Sequence, residues 1–225
     1  MKRPQWFWVA IAVSLIASLT PWGPTLLYPF KLFTTWVHET SHALMTVIVG
    51  GRVTAVTIDP DTSGLTHGLV PASRVARGLV ASAGYLGAAL VGCLLMAATR
   101  VEKSAHVILM GLGGFMLFTL AIWMRNLFGV AVVLAWGVAL IALARKGMGN
   151  APRFLLSLLA IQVALNSVFD IRVLFLIDRR QSDAATMARL FLLPSWVWAT
   201  AWMLMSVAML GATLWTTRGR RTGLI

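Results

Sequence analysis

The residues His38-Glu39-Thr40-Ser41-His42 have the types and spacing that hydrolytic chemistry needs. On a helix, imidazoles four residues apart stack on one face and can bind a single metal ion. Glu39 stands one step round the same turn. There a carboxylate can take a proton from a water the metal activates, without itself ligating. The stretch lies inside an otherwise apolar run, residues 28–49. Ionisable side chains in a membrane segment cost roughly 2.5–3.5 kcal/mol each, so this cluster demands a compensating partner. A metal ion supplies one. The competing explanation is a chance cluster facing a watery bundle interior.

A hydrolytic zinc site takes three protein ligands and keeps a position open. Besides Glu39 the acids are Asp59, Asp61, Glu102, Asp170, Asp178 and Asp183, and the other histidines are His67 and His106. Asp59 and Asp61 flank a turn, where Asp serves the backbone. Glu102 and His106 sit in a loop beside Lys103 and read as a solvated boundary, while Asp178 adjoins Arg179 and Arg180 and pairs with them. Asp170 is the outlier, a carboxylate within an apolar stretch where only Asn166 and Arg172 offer polar company. Burial there neutralises a carboxylate unless a cation is close, and a metal ion is such a cation. Asp170 therefore ranks first as third ligand, with an Asp170–Arg172 pair or an Asn166–Asp170 helix contact as the plainer explanation. Asp183 is the alternative, although N-capping of a helix would account for it; His67 comes third. Asn166 is the candidate for substrate contact.

The elements that must position these residues are membrane helices. The chain of 225 residues is 59% hydrophobic and 12% charged, against about 45–50% and about 25% in soluble domains. Its net charge of +12 sits mostly at the ends of apolar runs, as anchors against anionic headgroups, which argues against a nucleic-acid partner. A lone cysteine, Cys93, excludes disulfides within the chain. Apolar runs predict spans at residues 5–22, 28–49, 78–98, 107–123, 127–144, 154–177 and 194–215. The first, behind Met1-Lys2-Arg3, reads as an uncleaved helix, and Pro21, Pro24 and Pro29 predict an extended connection after it. Gly50-Gly51 stops the second span. Two β-rich runs around Asp59-Pro60-Asp61 then predict a hairpin over the site, whose edge could pair with an extended substrate strand. Gly84, Ala88 and Gly92 form a small-residue face suited to helix packing. Ser182-Asp183-Ala184-Ala185 opens a short amphipathic helix.

The expected fold is thus an all-α polytopic membrane protein of about six or seven transmembrane helices with a small β-hairpin after the second. It would form a single membrane domain, 1–225, with a hairpin insertion at 51–70 and a basic tail at 216–225. An integral protein of the plasma membrane of a prokaryote is expected.

With Gly50-Gly51-Arg52-Val53 after the motif and Gly84-Tyr85-Leu86-Gly87 in the next span, the chain resembles the site-2 protease (M50) family. Ser182-Asp183-Ala184 and Leu193-Pro194-Ser195-Trp196-Val197-Trp198-Ala199 bring it closer to the M50B-like branch. That resemblance implies an intramembrane zinc metalloprotease, with His38 and His42 as Zn2+ ligands, Glu39 as base, and a transmembrane segment of another membrane protein as substrate. The Asn-x-x-Pro-x-Pro-x-Leu-Asp-Gly segment that gives typical members their third ligand has no counterpart here, so Asp170 and Asp183 both stay open. A catalytically inactive M50-like scaffold or binding protein is the alternative.

Overall fold

The structure, a computed structural model, describes residues 5–101, 104–146, 149–176 and 182–216, with the side chains of 104 and 172–176 excepted. Glu102, Lys103, the Arg172 side chain, Asp178, Arg179, Arg180 and the tail from 217 lie outside that description.

Among the described residues there are eight helices and one two-stranded sheet. These are α1 (Gln5–Leu19), α2 (Gly23–Ile48), β1 (Arg52–Ile58), β2 (Gly64–Leu69), α3 (Arg74–Ala98), α4 (Ser104–Trp123), α5 (Leu127–Lys146), α6 (Ala151–Leu176), α7 (Asp183–Phe191) and α8 (Ser195–Thr216). Five of the helices, α3, α4, α5, α6 and α8, are long and apolar enough to cross a bilayer. The first two expected spans are different. With 15 residues α1 reaches about 22 Å, short of a hydrocarbon core of about 30 Å. Helix α2 has 26 residues, but Lys31 and the His38–His42 cluster interrupt its apolar face.

The prolines do not hold the chain extended, as the sequence had suggested. Pro24 falls in the first turn of α2, where a missing N–H costs nothing, and Pro29 is carried inside the helix. The indole of Trp136 on α5 donates to the Pro29 carbonyl at 3.1 Å and ties the two helices together beside the proline. Helix α3 starts at Arg74, a turn earlier than its apolar run, because Ser73 caps it by accepting from Ala76 N at 3.4 Å. His106 lies in the first turn of α4 rather than in a loop.

Helix α2 packs against α1, α3, α5 and α6 and carries the hairpin along one side. Phe33 and Trp36 of α2, Met116 of α4, Leu140 of α5 and Leu159 of α6 are buried in one apolar cluster. Polar ties replace the hydrophobic effect, which does not drive helix association in lipid. Trp36 Nε1 donates to Thr119 Oγ1 on α4 at 3.1 Å, and Gln162 Nε2 on α6 donates to Ser14 Oγ on α1 at 2.9 Å.

Gly50 ends α2 with φ +82°, a left-handed turn that glycine adopts freely, and the chain enters β1. β1 and β2 pair antiparallel, with Thr57 opposite Leu65 and Val56 opposite Thr66. The hairpin tip is pinned to α2, where Tyr28 Oη donates to the Pro60 carbonyl at 2.6 Å and Thr35 Oγ1 to the Thr62 carbonyl at 2.7 Å. The α4–α5 turn closes the outer edge of β1. Arg125 N donates to the Val56 carbonyl at 3.1 Å, and the Asn126 amide accepts from Ile58 N at 3.2 Å and donates to Ile58 O at 2.6 Å. Backbone groups alternate sides along a strand. Since Val56 and Ile58 face the α4–α5 turn, Thr57 faces β2 and Leu65 faces back. Gly64 and Thr66 then turn their N–H and C=O to the far edge of β2, which no described strand pairs.

Candidate metal centre

His38 and His42 meet on the inner face of α2 with their Nε2 atoms 3.0 Å apart. Asp183 of α7 completes the group, its Oδ2 lying 3.4 Å from His38 Nε2 and 3.3 Å from His42 Nε2. Ligands about 2.0–2.2 Å from a tetrahedral ion stand roughly 3.3 Å from one another, so this triangle has the edges of a tetrahedral face. Two imidazole nitrogens and one carboxylate oxygen are also a donor set that such ions accept. The residues fit a metal ion.

The surroundings hold the donors in place. His42 Nδ1 is 2.7 Å from the Val80 carbonyl on α3. A carbonyl can only accept, so Nδ1 carries the proton and the Nε2 lone pair turns toward Asp183. The His38 ring meets Tyr85 edge-on at 4.7 Å, and Tyr85 in turn stacks on Trp202 of α8 at 5.3 Å. Gly84 lies directly over the pair: a Cβ there would collide with Nε2 of both His38 and His42. The small-residue face of α3 therefore divides. Gly92 packs against Ala164 of α6, as expected of a packing stripe, whereas Gly84 makes room for the imidazoles.

Asp183 reaches the site because Ser182, not Asp183, caps α7, its hydroxyl accepting from Ala185 N at 3.2 Å. The carboxylate one position later is free to point at α2. Burial would raise the Asp183 carboxyl, but in the metal-free protein, where His42 carries a proton on Nε2 as well as Nδ1, its charge and hydrogen bonds from His38 and His42 outweigh burial and hold the group well below the usual carboxylate range. Asp183 is thus built to face positive charge.

Glu39 is buried beside the triad, with 5% of its surface exposed. Its Oε2 accepts from Thr66 Oγ1 of β2 at 2.8 Å. The even residues of β2 face α2, and a Cβ on Gly64 would come within 2.6 Å of Glu39 Cγ.

These side chains line a cavity of about 690 Å³. Lys31, Thr35, His38, His42 and Thr46 recur every three or four residues, so one face of α2 forms its floor over about 22 Å. Gly64, Leu65, Thr66, Gly68 and Leu69 of β2 make one wall; Arg77, Val80, Ala81 and Tyr85 of α3, with Ser182, Asp183 and Thr186, make the other. That length takes six or seven residues of extended chain at about 3.3 Å each.

The structure therefore joins Asp183, ranked second on sequence, to His38 and His42, and leaves Asp170, ranked first, outside the group. Asp170 lines the same cavity, as does Lys31 of α2. Asn166 donates to Thr34 Oγ1 of α2 at 3.3 Å and ties two helices together. His67 is exposed on the hairpin, and Asp61 accepts from Ser63 N and Oγ within its own turn. Thr66 and the Val80 carbonyl escaped the sequence reading, and Gly84 entered it as a packing position and part of the family resemblance, not as the residue that makes room for the imidazoles. Only the two-residue alternation Gly64-x-Thr66-x-Gly68 hints at a strand face pressed on a helix.

No curated protein and no solved structure matches the chain. A model of the family described as Peptidase M50B-like matches residues 8–213, nearly the whole chain and every residue of the triad. The chain belongs to the Peptidase M50B-like family.

Proposed function

We propose that the protein is an intramembrane zinc metalloprotease hydrolysing a peptide bond in or near a transmembrane segment of another membrane protein. The observation that carries this reading is the His38–His42–Asp183 triangle, set beside the buried Glu39 on the floor of a groove long enough for an extended peptide. Zinc at that triangle would polarise the scissile carbonyl and bring the pKa of a water toward about 7.

The chain's own residues do the rest. Glu39 takes the proton of the attacking water and delivers it to the leaving amine. A helical substrate must first unwind, because its amides are hydrogen-bonded internally. The open edge of β2, with the N–H and C=O of Gly64 and Thr66 facing out, supplies replacement partners for that strand. Val80 and Tyr85 hold the imidazoles so that neither ring turns away.

The alternative is an inactive scaffold that keeps the fold and a structural metal. Structural zinc is closed by four protein ligands, and among the described residues the group has three donors, which favours the enzyme. The test is cleavage of a labelled transmembrane substrate by purified, zinc-loaded protein, with Glu39→Gln beside it. Loss of cleavage in the variant with zinc retained is expected; equal rates in both would remove the enzyme reading.

A further inference from the structure

Building on the protease reading, we propose that Thr66 is the positioning residue of the general base, its hydroxyl holding Glu39 in both protonation states the reaction passes through. Thr66 Oγ1 is 2.8 Å from Glu39 Oε2 and 2.9 Å from the Glu39 backbone carbonyl. Among the described residues it is the sole hydrogen-bond donor to that carboxylate.

A threonine hydroxyl carries one proton and can accept another. While Glu39 is ionised, the hydroxyl donates to Oε2. After Glu39 has taken a proton on Oε1, Oε2 is the carbonyl oxygen of the carboxylic acid and still accepts from the hydroxyl. The proton taken from water stays on Glu39 until the leaving nitrogen receives it, and Thr66 neither gains nor loses one. A base that must alternate between carboxylate and carboxylic acid in a buried site would otherwise leave a polar group unpaired in one of the two states.

The placement also ties the base to the substrate. Thr66 presents its side chain to α2 and its backbone to the open edge of β2. The strand that would pair with the unwound peptide is therefore the strand that clamps Glu39. Gly64, two residues earlier on the same face, leaves space for the carboxylate: a Cβ there would stand 3.0 Å from Glu39 Oε1.

The experiment compares Thr66→Val, which keeps the branched shape and loses the hydroxyl, with Thr66→Ser, which keeps the hydroxyl, in the full zinc-loaded chain. Loss of one charge-assisted hydrogen bond predicts a kcat roughly 10–100-fold lower for T66V with KM and zinc content unchanged, and recovery to within a few-fold in T66S. A second readout needs no turnover. The carboxylate stretching band of Glu39, isolated as the infrared difference between wild type and E39Q, should shift in T66V and not in T66S. Should T66V fail to fold, Thr66→Ala removes the same hydroxyl and is judged by the same criteria. If wild type and E39Q cleave alike, the protease reading fails while the infrared comparison still decides the contact. An unmoved band in T66V, or an unchanged kcat in an active protein, overturns the role of Thr66.

Discussion

Replacing Gly84 by alanine puts one methyl group where the two imidazoles converge, and the expected damage can be worked from the geometry. The added Cβ would stand 2.5 Å from His38 Cε1, and it meets Nε2 of both rings. Ordinary carbon contacts are about 3.5–4.0 Å, so something must move by about 1 Å. His42 is tied to Val80 at 2.7 Å and His38 is backed by Tyr85, so neither ring has a free direction of retreat. Metal sites tolerate displacements of about 0.2 Å in their donors, and two of the three would be displaced several times further. We predict that G84A lowers zinc affinity by on the order of 100-fold, and that overpacking costs the metal-free protein about 1–3 kcal/mol. Gly111→Ala is the control, because a Cβ at Gly111 meets nothing within 4 Å. Competition against a chromogenic chelator gives the affinity, and thermal unfolding of the stripped proteins gives the stability. Wild-type zinc affinity in G84A would mean that the imidazoles do not converge beneath Gly84, and the metal centre as drawn would be lost with it.

Two further outcomes are expected from the metal centre and the hairpin edge. Asp183→Asn should weaken zinc binding at least 10–100-fold, while Asp170→Asn should leave it within a few-fold; the reverse ranking, read by equilibrium dialysis, would restore Asp170 as the ligand. Asn126→Ala removes both hydrogen bonds to Ile58 and should cost the hairpin about 1–3 kcal/mol locally, so hydrogen exchange at the Ile58 amide should accelerate roughly tenfold or more; unchanged protection would show that the α4–α5 turn does not hold the β1 edge.

What could be read from the sequence was what local rules decide. The spacing of His38 and His42 follows from helix periodicity alone, and apolar runs mark the long helices because a bilayer leaves little choice. The hairpin followed from turn residues between two β-rich runs. Pro29 was misread because one lost helix hydrogen bond is outweighed by tertiary packing, and the α5 and α6 residues that pack on α2 are distant in sequence. The third donor was ambiguous for a similar reason. Asp170 stood out as an acid in an apolar helix, but it opens on a cavity shared with Lys31 of α2, which the sequence around it does not show. Asp183 looked like a cap because it opens a helix, yet Ser182 beside it takes that duty. Thr66 carried no signal of its own, since a threonine in a strand is ordinary until the helix beneath it is known.

The donors stand far apart along the chain, two imidazoles on α2 and a carboxylate on α7. Until α7 has been made, the ion-binding triangle lacks its carboxylate. On the protease reading proposed above, the chain gains its hydrolytic site only when α7 joins α2, and a fragment truncated before Asp183 is expected to cleave nothing.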